Sequence, residues 1–229
     1  MHEAEKPRQL PLDLDHRAGV SRDDLIVSRT NAEAVALIDR WPDWPSAVVV
    51  LAGPAGSGKT HLSTIWQEIS GALLLDPASL RQDAAGRALL IDRADAQPVD
   101  EESLFHLINT VRASGTQLLM TARRFPSAWD VKLPDLVSRL KAATLVEIAE
   151  PDDLLLSGVI TKLFADRQVE VEPHVVQYLV RRIERSLVTA ARVVERLDRA
   201  ALEQKTRISR ALAADIVSAM DLGQGELPL

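Results

Sequence analysis

Cysteine is absent from all 229 residues. That excludes a disulfide framework, a thiolate metal site and a cysteine nucleophile, and it fits a reducing compartment. No apolar run approaches the roughly 20 residues that a helical membrane span needs. The N-terminus sets Glu3, Glu5, Lys6 and Arg8 ahead of any apolar stretch, so a signal-peptide core is missing as well. A cytoplasmic protein with no membrane partner is expected. Positive charge is also scarce: 27 Lys and Arg face 33 Asp and Glu, for a net charge of −6, and most of the excess lies in residues 1–150. Such an acidic body does not read as a general DNA binder. The five histidines, His2, His16, His61, His106 and His174, stand far apart and lack the spacing of metal ligands.

What is present is an apolar content of 46%, ample for a packed core, and one complete motif. Gly53-Pro54-Ala55-Gly56-Ser57-Gly58-Lys59-Thr60 follows directly on the apolar run from Ala47 to Ala52. Glycines let the backbone curl so that successive N–H groups point at phosphate oxygens, and the helix that opens near Lys59 adds its positive end. Lys59 would reach the β and γ phosphates of ADP or ATP, and the Thr60 hydroxyl would bind Mg²⁺. Leu62, Ile65, Trp66 and Ile69 recur at helical spacing behind the loop, which supplies the strand-loop-helix setting the motif requires.

Residues 1–20 are rich in proline and charge and read as a flexible tail. A helix is expected from Asn31 to Trp41, ended by Pro42 and Pro45. Short apolar segments at Ala47–Ala52, Ala72–Leu75, Ala88–Ile91, Thr116–Thr121 and Thr144–Ile148 alternate with helical patterns, which predicts an α/β domain over 21–150 with a five-stranded parallel sheet. After Glu150-Pro151 the strands stop. Helical stripes at Leu154–Phe164, His174–Glu184, Thr189–Glu203 and Ala211–Met220 predict a helical lid over 151–220, followed by a C-terminal tail, 221–229.

A phosphate-loop domain followed by a helical lid resembles the AAA+ class. Leu133-Pro134-Asp135-Leu136-Val137-Ser138-Arg139-Leu140 resembles the segment of the replication initiator DnaA that carries its arginine finger. Arg196-Leu197-Asp198-Arg199-Ala200 and the tail Gln9-Leu10-Pro11-Leu12-Asp13-Leu14 resemble the Hda family, the shortened DnaA homologues that switch DnaA off. The likeness runs from about Gln9 to Val217 and leaves no room for DnaA's DNA-binding helical domain.

That resemblance implies specific roles. Gln9, Leu10, Leu12 and Leu14 would lie extended in a groove of the polymerase sliding clamp, so that the chain meets DNA only through the clamp. Arg139 would act in trans, as an arginine finger on ATP bound to DnaA. Its competing reading is a surface arginine paired with Asp135, one turn back. Ile26 and Val27, in the segment Asp24-Leu25-Ile26-Val27 before Asn31, would pack the adenine ring. Asp92, which ends the strand Ala88–Ile91, would hold Mg²⁺ through water.

Three positions depart from the family. One is Arg123, where the family usually places an Asp, which leaves Thr121 as the expected polar contact near the γ-phosphate. Arg93 stands where DnaA carries the acidic residue that activates water, and a cation cannot act as a general base; Asp95, two residues on, is a poor substitute. In the lid, Val188 falls where the sensor arginine belongs, leaving Arg192 or Arg185 to reach the phosphates in its place. Slow or absent hydrolysis by the chain alone is therefore expected. An adaptor that inactivates DnaA is the first reading. An autonomous AAA+ ATPase, such as a DnaC-type loader or a truncated initiator, is the second. Monomer and homodimer both stay open.

Overall fold

The computed structural model describes residues 22–77, 80, 86–96 and 100–224. The tail with Gln9, Leu10, Leu12 and Leu14, and the C-terminal 225–229, lie outside these residues. Five strands, β1 (Val48–Ala52), β2 (Leu73–Leu75), β3 (Leu89–Ile91), β4 (Leu118–Ala122) and β5 (Thr144–Glu147), form one sheet in the order β2-β3-β4-β1-β5. Every pairing is parallel. In β1, β3 and β4 every residue is buried, as expected of parallel strands covered on both faces.

Alternate residues of each strand feed opposite layers. On one face, Val49, Leu51 and Leu119 pack with Ile38 of α1 (Ala32–Asp39) and with Leu62 and Trp66 of α2 (Lys59–Ser70). On the other, Val48, Val50 and Met120 pack with Leu104 and Ile108 of α3 (Glu101–Ser114) and with Leu136 and Leu140 of α4 (Pro134–Lys141). A separate apolar cluster holds the last four helices together: α5 (Asp153–Asp166), α6 (Pro173–Arg182), α7 (Leu187–Gln204) and α8 (Arg210–Gln224). Phe164, Leu179, Val194, Leu197 and Ala213 lie at its centre. Side-chain oxygens start three of these helices, with Asp152 accepting the Leu155 N–H at 2.9 Å, Ser186 the Thr189 N–H at 3.2 Å and Ser209 the Leu212 N–H at 3.3 Å.

The element boundaries differ from the sequence reading by a residue or two, except that α8 runs to Gln224, four residues past the expected Met220. β4 starts at Leu118 and not at Thr116, because the Thr116 N–H turns back to the Val111 carbonyl and finishes α3. α6 stops at Arg182, where Ile183 goes extended to feed the cap of α7. No helix among the described residues is long and apolar enough to cross a membrane.

Candidate functional site

Strand β1 ends in a loop that has no room for side chains at two glycines. A Cβ on Gly53 would sit 2.1 Å from the Ile148 carbonyl oxygen, and one on Gly56 would sit 2.1 Å from the Ser186 Oγ. The Gly56 carbonyl accepts the N–H of Leu187 at 2.8 Å, so the loop and the first turn of α7 are joined directly. α2 begins at Lys59 without a side-chain cap. Its first N–H groups therefore face outward, as a phosphate ligand needs.

Lys59 is 8% exposed. Its Nζ donates to the carbonyls of Gly53 (2.7 Å) and Pro54 (2.6 Å) and lies 3.3 Å from the Ser57 Oγ. Burial pulls the ammonium below the usual lysine range, and Asp95 and Asp92 oppose that shift.

The acidic side of the site is built on β3 and β4. The Thr121 hydroxyl, fully buried, donates to Asp92 Oδ1 at 2.6 Å and accepts the Arg93 N–H at 2.8 Å. The same Asp92 oxygen lies 3.5 Å from the Thr60 Oγ1. Asp92 and Thr60 thus stand in direct reach of each other, and both offer oxygens of the kind that Mg²⁺ and its bound waters take. Arg93 takes a left-handed turn at φ 53° and leaves its side chain 72% exposed, with Nε 3.7 Å from Asp92 Oδ2. Asp95 spends Oδ2 on the N–H groups of Arg123 (2.9 Å) and Arg124 (3.1 Å), while its Oδ1 is buried without a partner.

Beside the loop opens a cavity of about 500 Å³, a size that suits a nucleotide. Its walls are largely apolar: Leu25 and Ile26 from the N-terminal segment, Leu155, Val159 and Leu163 from α5, and Leu187, Val188 and Ala191 from α7. Asn31 shapes the wall by accepting the Ser28 N–H (2.8 Å) and donating to the Ile26 carbonyl (2.9 Å). The far end is polar, with Lys162 bridging Asp24 (3.2 Å) and Asp166 (2.7 Å). His61 also faces this cavity, and burial holds its imidazole below the usual range.

Most of the expected residues converge here. Gly56, Ser57, Gly58, Lys59, Thr60 and Ile26 line the cavity together, and Val188 lines it where the sensor arginine was expected. Three expectations need correcting. Val27 is 46% exposed and absent from the lining. Arg192 is exposed and also outside it, because α7 presents Leu187, Val188 and Ala191 to the cavity. Arg185 turns away to Asp153 (2.7 Å) and the Pro151 carbonyl (3.1 Å). Neither arginine replaces the sensor in this arrangement.

Arg139 sits in the last turn of α4, away from this cavity, and has no ion pair among the described residues; the pairing with Asp135 does not form. One residue went unread in the sequence. The Glu101 carboxylate, at the start of α3, accepts the N–H groups of Lys132 (3.0 Å) and Leu133 (2.6 Å) and so fixes the entry into α4. Nothing in a lone glutamate marks such a long-range cap in advance.

No family model matches the chain. DnaA of Sphingopyxis alaskensis is 28% identical to it over 217 residues, covering 92% of this chain and 45% of that protein, so the chain spans less than half of that relative. Domain III of Thermotoga maritima DnaA superposes with a TM-score of 0.74 at 16% identity, over 92% of this chain and 98% of that one. A replication initiator DnaA bound to AMPPCP and single-stranded DNA superposes with a TM-score of 0.64 at 18% identity, over 80% of this chain and 67% of that one. The fold is that of a DnaA-like AAA+ domain.

Proposed function

We propose that this chain is a nucleotide-loaded regulator of DnaA that docks on the sliding clamp and stimulates hydrolysis of DnaA-bound ATP, and so restrains replication initiation. The observation that carries this reading is a complete phosphate cradle beside an incomplete hydrolytic apparatus. Gly53, Pro54, Ala55, Gly56, Ser57, Gly58 and Lys59 would hold the phosphates of ADP or ATP, Thr60 and Asp92 would hold Mg²⁺, and Ile26 would support the adenine. The similar DnaA structure contains AMPPCP, which supports a nucleotide in this cavity. Yet Arg93 stands where the resemblance calls for an acidic base, and the residue lining the cavity where it calls for the sensor arginine is Val188, which carries no charge.

Under this reading the chemistry belongs to the partner. Arg139, on α4 without an ion pair among the described residues and outside the lining of its own cavity, would stabilise charge on the phosphoryl group transferred in DnaA. The tail Gln9–Leu14 would bring the two together on DNA through the clamp, a contribution of proximity. The test compares ATP hydrolysis by DnaA on clamp-loaded DNA in the presence of wild type, Arg139→Ala and Gln9→Ala. Loss of stimulation in both variants is expected. Undiminished stimulation by both overturns the mechanism.

A second reading, an autonomous ATPase, is favoured by one observation. Asp95 keeps a buried, unpartnered oxygen close enough to Lys59 to act on its charge, the kind of group that could orient water. Brisk turnover by the isolated protein, abolished by Lys59→Ala and by Asp95→Asn, would establish this reading and sink the first.

A further inference from the structure

In a chain of net charge −6, one hollow on the lid carries cations and no carboxylate. Six residues of α6 and α8 line it: His174, Gln177, Tyr178, Arg181, Arg182 and Arg210, around about 280 Å³. The guanidiniums of Arg182 and Arg210 lie 5.8 and 5.3 Å from the centroid of the Tyr178 ring. Arg181, Arg182, Arg210 and His174 are all exposed. Among the described residues none of the four joins an ion pair, whereas Arg22, Arg29, Arg167, Arg185 and Arg199 each reach a carboxylate.

Local helix physics explains part of this cluster. Arg181 and Arg182 close α6, where cations complement the negative end of the helix dipole. Arg210 opens α8, where the dipole opposes it, and it shares a ring with a second guanidinium. The negative face of the tyrosine attracts both cations and offsets part of that repulsion. The result is a preformed cationic site that the fold itself does not require.

We infer that this hollow docks the phosphate backbone of duplex DNA. Guanidinium forks match phosphate oxygens. No aliphatic side chain lines the hollow, so an acidic peptide would find charge without a pocket for an apolar anchor. Two cations already occupy the Tyr178 ring, which leaves no stacking platform for the bases of a single strand. A duplex presents rows of phosphates and needs neither. The hollow shares no residue with the nucleotide cavity, so the inference stands independently of the proposed function.

The test is fluorescence anisotropy of a labelled duplex of about 20 base pairs titrated with the full chain between about 50 and 200 mM NaCl. Three phosphate contacts predict a slope of log affinity against log salt of about −2.7 for wild type, reduced by about one in Arg210→Ala. Arg210→Lys keeps the charge and should keep the slope. Arg199→Ala makes the same change in net charge elsewhere on the lid and should leave binding intact. The combined Arg181→Ala, Arg182→Ala and Arg210→Ala variant should lose the binding while retaining wild-type circular dichroism. Duplex binding that is absent in wild type, or undiminished in the combined variant, overturns the inference. So does tighter binding of single-stranded DNA or polyglutamate than of the duplex.

Discussion

Replacing Gly56 by alanine tests the junction between the phosphate loop and the lid. Gly56 has φ +75°, and an added Cβ would lie 2.1 Å from the Ser186 Oγ and 2.8 Å from its Cβ. Left-handed backbone costs a non-glycine residue about 1–2 kcal/mol. Ser186 is 7% exposed and its hydroxyl caps α7, so it cannot swing aside without surrendering that bond. Relief of the overlap should cost about 1–3 kcal/mol more. Gly56→Ala is therefore expected to lose about 2–5 kcal/mol in urea unfolding followed by circular dichroism. Ser186→Gly, which removes both offending atoms, completes a double-mutant cycle. In that background only the backbone cost of about 1–2 kcal/mol should remain, giving a coupling of about 1–3 kcal/mol. Strict additivity would refute the contact, and a loss below about 0.5 kcal/mol for the single variant would refute the backbone argument as well.

Three further outcomes follow from named contacts. Glu101→Ala frees the N–H groups of Lys132 and Leu133, so it should lower stability by about 1–3 kcal/mol in unfolding and, under the proposed function, reduce the stimulation of DnaA in hydrolysis assays without altering nucleotide retention. Lys59→Ala should release the nucleotide, which mass spectrometry of the denatured wild type and variant will show as a loss of bound ADP or ATP. Asp39 is held below the usual carboxylate range by its hydrogen bond and ion pair with Arg22. A carboxyl with a depressed folded-state pKa contributes stability that is present above its unfolded pKa and is lost as pH falls through the folded value. Acid unfolding should accordingly be shallower below about pH 4 in Arg22→Ala than in wild type, and identical acid profiles would show that the pair contributes nothing.

The parallel sheet was legible because its strands are buried on both faces. Val48–Ala52 is a continuous apolar run and Leu118–Ala122 is apolar apart from Thr121, every residue of both is buried, and that pattern survives without knowledge of their neighbours. Their order in the sheet was not legible. β1 takes its place between β4 and β5, and nothing in Val48-Val49-Val50-Leu51-Ala52 selects those partners over β2 or β3. The helical stripes of α6 and α7 were likewise readable, since Val175, Val176, Leu179 and Val180 recur on one side and all are buried. Their ends were less so, because the caps depend on residues such as Ser186 whose geometry belongs to the junction with the loop.

The same division runs through the site. The phosphate loop is a local motif, and Gly56, Ser57, Gly58, Lys59 and Thr60 gather at the cavity as the spacing implies because they are consecutive in the chain. Val188, the residue that falls at the expected sensor position, lines the cavity. Substitutes for the sensor were not legible, because reaching a phosphate depends on the rotation of α7 about its axis, which turns Arg192 outward while Ala191 faces in. Thr121 shows the most instructive case. Its hydroxyl donates to Asp92 and accepts from the Arg93 backbone, so both hydrogen-bonding directions are engaged in fixing the turn after β3. That turn puts Asp92 opposite Thr60 and sends the Arg93 side chain to solvent. The Arg93 guanidinium still lies 3.7 Å from Asp92 Oδ2, so the residue that takes the place of the expected base is an ion-pair partner of the carboxylate facing Thr60.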